Sequence, residues 1–294
     1  MTPPLRGLAC LVLAHAQPQE LGLLLHALHG AGARCFLHLD RRAEGLRHDL
    51  AEHAPPGITV LPRALSHRIA WGSFAMVRAV LDLMREALRD PATAHLCLLS
   101  GTHLPVRPAE EIAAYLFDDQ RQHMDLRLAA AQPTDRESLQ RFLHRGMAGR
   151  EAGNRLLRWV NRHAWLLGPR DVAGGLRGIT PMSGSQWWHM TAPCARHLLA
   201  FLDASPWFLR FFEGVRIPDE AFFQTLVHAS PFRDTVGPPM SWQRIDNFSP
   251  TTMDAALLAE AQRSGLPFAR KFDMARHADA ARIALEAAGF ATLA

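Results

Sequence analysis

The chain has 294 residues and a mass of 32.7 kDa, a size that one large α/β domain can accommodate. Hydrophobic residues make up 48% of the sequence and charged residues 20%, which excludes a disordered chain and predicts a globular protein with a substantial core. The formal net charge of +4 is too small to indicate a nucleic-acid partner. Lys271 is the only lysine, because every other residue of the Lys and Arg group is arginine.

The first apolar run and the cysteines bear on the compartment. The run contains about seven residues, which is too short for a signal peptide or a membrane span. The four cysteines are far apart and show no metal-ligand spacing, which indicates free thiols rather than disulfides. We therefore expect a cytoplasmic protein that needs no metal and no other cofactor.

Apolar runs and helical patterns alternate through the first part of the chain. Strands are predicted at 8–14, 34–39, 58–61 and 95–99, and helices at 18–29 and 74–88. Alternation of this kind predicts an α/β fold with a Rossmann-like sheet flanked by helices.

Ligands of such sheets bind beyond the carboxyl ends of the strands. The rule selects residues at the ends of three predicted strands, which are Ala14, His15 and Ala16, then Asp40, Arg41 and Arg42, and then Ser100, Gly101, Thr102 and His103. No G-x-G-x-x-G motif and no P-loop motif occurs, so a nucleotide would have to be held in another way.

An arginine-rich helical pattern with interleaved Leu and Trp residues follows at 136–170. Two interpretations stay open, a solvated helix face and a peripheral contact with anionic lipid at the inner face of the membrane. We divide the single domain 1–294 into a nucleotide-binding half at 1–130, a helical insert at 131–175, and an acceptor and catalytic half at 176–294.

Two pairs of residues in the last third of the chain are candidates for a site. Trp187 and Trp188 follow Ser185 in a predicted strand, so neighbouring side chains point to opposite faces of the sheet. One indole could stack on a sugar or base as an aromatic plate, and core packing is the alternative. Asp219 and Glu220 precede a predicted helix at 221–228. They either complement the helix dipole or supply a general base for an acceptor hydroxyl.

Three cations near the end of the chain, Arg244, Arg270 and Lys271, form a second candidate group. Cations that converge on one place neutralise the diphosphate that leaves a nucleotide sugar, and exposed surface charges are the alternative. No D-x-D motif occurs, so the carboxylates that usually hold a metal on such a diphosphate are missing. Side-chain cations would have to replace the metal.

Several segments occur in an order that resembles a known family of enzymes. They are LVLAHAQP, CFLHLDRR, SHRIAWGSFAMVRAVLDLM, CLLSGTHLPV, GSQWWHMT, PDEAFFQTL and FARKFD. Together they resemble the core-2/I-branching family of glycosyltransferases, in a bacterial form, which includes β-1,6-N-acetylglucosaminyltransferases and peptide O-xylosyltransferases. The resemblance implies a GT-A-type fold, an inverting displacement, a UDP-sugar donor and independence from metal.

The resemblance also implies roles for residues of the acceptor half. Glu220 in PDE matches the catalytic base, and Lys271 matches a residue that binds the UDP diphosphate. Arg244 is the candidate for the arginine that acts with Lys271.

On the donor side, the resemblance places Asp40 near the uridine. Ala14 and His15 would form the rest of that pocket, and Trp71 lies in a segment that packs near the donor. His103 departs from the family, since it stands where the pattern L-S-G-x-D-Y/F-P has an acidic residue.

These observations predict a metal-independent, inverting glycosyltransferase. It would move N-acetylglucosamine, in β linkage, from UDP to a hydroxyl of a glycan or a lipid-linked glycan. UDP-xylose is the alternative donor within the same fold. A non-catalytic peripheral membrane or glycan-binding protein is the alternative of another class, which the departure at His103 keeps open.

Overall fold

A computed structural model describes residues 2–53, 55, 57–129, 142, 169–246 and 249–290. Most of the arginine-rich segment 136–170, and with it most of the predicted insert 131–175, lies outside the described residues. The rest forms a large mixed sheet flanked by helices, which confirms the predicted α/β fold class.

The strands and helices of the described residues have these bounds. The strands are β1 Leu8–Ala14, β2 Arg34–Leu39, β3 Ile58–Val60, β4 His95–Ser100, β5 Leu104–Pro105, β6 Gln122–Met124, β7 Arg127–Leu128, β8 Met182–Ser183, β9 Trp188–Thr191, β10 Val236–Gly237, β11 Ser241–Gln243, β12 Ile245–Asp246, β13 Ser249–Pro250 and β14 Phe268–Arg270. The helices are α1 Pro18–Gly30, α2 Glu44–His53, α3 Ala75–Ala87, α4 Ala109–Phe117, α5 Val172–Gly175, α6 Ala192–Ala204, α7 Pro206–Phe212, α8 Phe222–His228, α9 Ala255–Arg263 and α10 Met274–Ala287.

The main sheet has the strand order β10-β6-β9-β4-β1-β2-β3. The pairs β1 with β2, β1 with β4, β2 with β3, and β10 with β6 are parallel, whereas β9 runs antiparallel to β4 and β6. Every residue of β1 is buried, because its uninterrupted apolar sequence lets helices cover both faces of the sheet. The carboxyl ends of β4, β1 and β2 therefore lie side by side at the centre of one edge.

A smaller sheet, in the order β11-β14-β5, brings the end of the chain to that edge. β14 runs antiparallel to β5, with Ala269 opposite Leu104, so the next pair in register is Arg270 and His103. β14 also runs parallel to β11, with Arg270 opposite Gln243. Residues more than 160 positions apart in the sequence thus become neighbours.

The predicted elements agree with the structure within a few residues, with one informative difference. The predicted helix 221–228 is observed as α8, and a separate 3₁₀ turn covers Pro218–Glu220. Ile217 has a left-handed backbone (φ 52°) and Ala221 is non-helical (φ −144°), so the turn cannot join the helix. The four cysteines are buried free thiols, as predicted.

Candidate active site

The strand-end residues predicted from the sequence meet at the central edge of the main sheet. The backbone N–H of Asp40 donates to the Ala14 carbonyl (3.0 Å), and that of Gly101 donates to the Leu13 carbonyl (3.0 Å). A side chain at Gly101 would meet the Ala14 Cβ at 3.3 Å, so glycine permits this close approach. His15, the next residue along, is exposed at the same edge.

The Asp40 carboxylate is saturated by hydrogen bonds from its neighbours. Oδ1 accepts from the backbone N and the Nε of Arg42, and Oδ2 accepts from Arg42 Nη2 and the Ile69 backbone N, all at 2.9 Å. Burial alone raises the pKa of Asp40, but these donors outweigh it and bring the pKa to about 2. Asp40 therefore fastens the loop containing Ile69 to the end of β2.

That loop continues to Trp71, whose side chain is 58% exposed. The next residue, Gly72, has a left-handed backbone (φ 71°), and its carbonyl accepts from the Ile217 backbone N (3.2 Å). A Cβ at Gly72 would lie 3.3 Å from Ile217 Cγ1. Through Gly72, the backbone next to the exposed indole contacts the segment that leads into the Pro218–Glu220 turn.

Backbone contacts on both sides hold the turn that carries Glu220. The Gly184 N–H donates to the Glu220 carbonyl at 2.9 Å, and the Glu220 N–H donates to the Ile217 carbonyl at 3.3 Å. A Cβ at Gly184 would lie 1.8 Å from the Asp125 carbonyl oxygen, so only glycine fits between that carbonyl and the turn. Asp219 and Glu220 are both half-buried residues.

Asp125 is a residue of this region that the sequence analysis missed. Its Oδ2 accepts from the Ser185 N–H (3.0 Å) and pairs with Arg127 Nη2 (3.1 Å), while Gln224 Nε2 donates to the Ser185 carbonyl (2.6 Å). Asp125 follows β6 directly, so the rule that selects residues beyond strand ends would have found it had the short strand been predicted.

Arg270, at the end of β14, is the cation that faces this group. Its guanidinium carbon lies 4.8 Å from the centroid of the Trp187 ring, and Nη1 donates to Gln243 Oε1 at 3.3 Å. Burial lowers the pKa of Arg270 to about 10, while the charge of Glu220 acts in the opposite direction. Arg270 Nε is buried and has no hydrogen-bond partner among the described residues.

His103 lies in register with Arg270 and is fully buried. Its Nδ1 accepts from the Ser100 backbone N–H (3.0 Å), so in the neutral ring Nε2 carries the proton and donates to Ser241 Oγ (3.0 Å). Its ring packs edge-on against Trp187, with centroids 4.8 Å apart. Burial, together with the charge of Arg270, lowers the pKa of His103 well below its usual value.

The structure places the other predicted residues as follows. Trp187 is buried and contacts Arg270 and His103. Trp188 is fully buried against Phe223, with ring centroids 5.2 Å apart, so the core-packing alternative fits both residues. Lys271 is half-buried, and its carbonyl accepts from the Met253 N–H (2.7 Å).

Arg244 lies apart from this cluster in its contacts. Its side chain is exposed, and its Nη2 forms an ion pair with Glu260 of α9. Arg270 is therefore the arginine that the structure brings beside Trp187 and His103.

Among the described residues, no three His, Cys, Asp or Glu side chains converge in a way that would hold a metal ion. None of the helices in the described part of the chain is long and apolar enough to cross a lipid bilayer.

A mixed sheet with polar groups at the carboxyl ends of its parallel strands, completed by a carboxylate and an arginine from later segments, is consistent with a glycosyltransferase of GT-A-like fold. A sequence model of the Core-2/I-Branching enzyme matches residues 8–236. The chain belongs to the Core-2/I-Branching enzyme family.

Curated relatives carry the names of transferases. Xylosyltransferase 2 of Canis lupus familiaris is 26% identical over 232 residues, which are 78% of this chain and 25% of the relative. Xylosyltransferase 2 of Homo sapiens is 26% identical over 231 residues, with the same shares of the two chains. Xylosyltransferase 1 of Rattus norvegicus is 23% identical over 238 residues, 79% of this chain and 27% of the relative. The chain thus spans about a quarter of these relatives, as those shares show.

Proposed function

We propose that the chain transfers a sugar from UDP to an acceptor hydroxyl, with inversion at the anomeric carbon and without a metal. The observation that carries the proposal is the half-buried cation Arg270, whose buried Nε has no hydrogen-bond partner among the described residues and on which the charge of Glu220 acts, at the edge where Asp40 and Ser100 also lie. A carboxylate and a cation are the two charges that this reaction requires.

Each charge has one task in the proposed step. Glu220 accepts the proton of the acceptor hydroxyl while the oxygen of that hydroxyl bonds to the anomeric carbon. The bond between that carbon and the diphosphate oxygen breaks on the opposite face, and UDP leaves with the electron pair. Arg270 and Lys271 stabilise the negative charge on the departing diphosphate.

Arg270 takes the place that the sequence analysis gave to Arg244. Its guanidinium lies against Trp187, and its buried Nε has no hydrogen-bond partner in the part of the chain that the structure describes, whereas Arg244 is exposed and paired with Glu260. A half-buried cation with an unpaired N–H gains more from an anion than an exposed ion pair does, because water screens it less.

The predicted sugar is N-acetylglucosamine, and xylose is the second candidate because the relatives described above are named xylosyltransferases. The acceptor is a hydroxyl of a glycan or of a protein. A cytoplasmic location and a membrane contact through 136–170 stay predictions from the sequence.

A panel of UDP-sugars tests the proposal. UDP-N-acetylglucosamine, UDP-xylose, UDP-glucose and UDP-galactose are incubated with the protein, with and without EDTA, and release of UDP is measured. We expect turnover of one donor at the same rate with and without the chelator. No binding of UDP and no turnover of any donor would contradict the proposal, and loss of turnover in EDTA would contradict the metal-independent mechanism.

A further inference from the structure

His103 connects the end of β4 and the start of β11 with the indole that packs against Arg270. Through Nδ1 it holds the Ser100 backbone at the end of β4, and through Nε2 it holds Ser241 at the start of β11. Gln243, two residues further along β11, accepts from the Arg270 guanidinium at 3.3 Å. The imidazole thereby sets the spacing between the central edge of the sheet and the strand that carries a partner of Arg270.

Trp187 joins His103 and Arg270 through its ring. The imidazole meets the indole edge-on at 4.8 Å and 73°, and the guanidinium carbon lies 4.8 Å from the same ring. An indole held between two such neighbours has little freedom to move, because both contacts depend on its orientation. His103 therefore orients Arg270 without a direct hydrogen bond to it.

The charge of His103 is as important as its position. The Ser100 N–H donates to Nδ1 at 3.0 Å, and the Ser100 Oγ lies 2.8 Å from the same atom, so a second proton at Nδ1 would break the bond from the N–H. It would also add a positive charge inside the protein opposite Arg270, at a fully buried residue. Both effects keep the ring neutral.

Because His103 is neutral, position 103, directly before β5, supplies no negative charge to balance that of Arg270. Glu220 is the carboxylate that acts on Arg270 among the described residues. Residues opposite each other in an antiparallel pair have Cβ atoms about 5 Å apart, so a carboxylate at position 103 would reach the guanidinium. The imidazole fills this space with no negative charge.

We propose that His103 is a positioning residue, which holds Arg270 in place through Trp187 and β11 while supplying no countercharge, so that the guanidinium charge is directed to a diphosphate. The proposal rests on the proposed function, because it takes the diphosphate of UDP as the anion. His103 itself does not touch the substrate.

A matched pair of variants separates charge from shape. His103→Asn and His103→Asp have side chains of nearly equal size, and both lose the imidazole contacts, so both should lower the melting temperature. Titration calorimetry with UDP measures the dissociation constant of each. We expect His103→Asp to bind UDP at least about tenfold more weakly than His103→Asn, because the carboxylate pairs with Arg270.

The same pair of variants in an Arg270→Gln background shows whether the new carboxylate of His103→Asp acts through Arg270. The UDP dissociation constants of the Asp and Asn variants should then differ by less than about twofold, since the guanidinium is gone. If either variant does not fold, the pair His103→Gln and His103→Glu provides the same comparison with longer side chains.

Two results overturn the proposal in distinguishable ways. Equal UDP affinity of the Asn and Asp variants, in a protein whose unmodified form binds UDP, overturns the role of His103 and leaves the proposed function intact. Failure of the unmodified protein to bind UDP overturns the proposed function and this inference together.

Discussion

The two sides of the candidate site differ in how their charges are satisfied. On the donor side, the Asp40 carboxylate accepts hydrogen bonds from the backbone and side chain of Arg42 and from Ile69, and its pKa is held at about 2. On the other side, Arg270 has a weak bond to Gln243 and a buried Nε with no partner in the described chain. The hydrogen bonds of the Asp40 carboxylate all go to the protein and hold a loop in place, whereas the Arg270 guanidinium can still donate to a ligand.

The difference separates residues that shape the site from those that act in it. Substitution of a group whose hydrogen bonds all go to the protein should reduce the stability of the protein. Substitution of a group that can still bond a ligand should reduce binding or turnover.

The largest effect is expected for Glu220→Gln, which keeps the shape of the side chain and removes its ability to take a proton. The turnover number should fall about 10²- to 10⁴-fold, the usual contribution of a general base. The UDP dissociation constant, measured by calorimetry, should not rise, since the amide conserves the contacts of the turn and removes a negative charge that acts on Arg270. Glu260→Gln, on the exposed ion pair with Arg244, is the matched control. Retained turnover in Glu220→Gln would remove Glu220 from the mechanism.

Gly184→Ala should have the next largest effect on turnover. The new Cβ would lie 1.8 Å from the Asp125 carbonyl, so the backbone that donates to the Glu220 carbonyl must shift. We expect turnover to fall about 10²-fold, because misplacing a catalytic group by about 1 Å has that effect. Gly45→Ala is the control, since nothing lies within 4 Å of its Cβ position in α2. Equal rates in the two variants would show that the Glu220 turn does not depend on Gly184.

Acid should destabilise the protein through a buried group of histidines away from the site. His95 Nδ1 lies 3.1 Å from His189 Nε2, and the rings of His189 and His123 are 5.4 Å apart. Burial lowers the pKa of all three, that of His95 to about 4, although the charge of Asp119 opposes this at His123.

In the unfolded chain each of these histidines takes up a proton near pH 6.5, whereas the folded protein resists protonation until about pH 4 at His95. The contribution of these histidines to the free energy of unfolding should therefore be largely constant above pH 6.5 and fall below it. For His95 the loss at pH 5 is on the order of 1 kcal/mol once solvent screening is allowed for. Urea denaturation at pH 7.5 and pH 5 measures the change. The same loss in a His95→Gln variant would exclude His95 as a source.

The smallest effect on turnover, and a clear effect on stability, is expected for Asp40→Asn. The amide cannot accept from Arg42 and Ile69 as the carboxylate does, so the free energy of unfolding at pH 7 should fall by about 1–3 kcal/mol. Because the folded pKa lies below the ordinary value of 3.8, this stabilisation is present above pH 3.8 and is lost as the pH falls through about 2. A loss of UDP affinity with unchanged stability would instead make Asp40 a ligand of the uridine.

The sequence predicted the strand-end residues because each follows a continuous apolar run, and parallel strands in one sheet bring such ends together. It did not predict which arginine joins Glu220, since that depends on the pairing of β14 with β5 across more than 160 residues. It left Trp187 and Trp188 undecided because their burial depends on where β9 begins. Asp125 was missed because β6, at three residues, is too short to show a pattern.

The most direct test of the account is a calorimetric titration of UDP into Arg270→Gln and Arg244→Gln, with the unmodified protein as the reference. Both variants remove one positive charge, so their net charges are equal. The account predicts that Arg270→Gln weakens UDP binding at least about tenfold and that Arg244→Gln changes it less than about twofold. Equal losses in both variants, or a larger loss in Arg244→Gln, would contradict the assignment of Arg270 to the diphosphate.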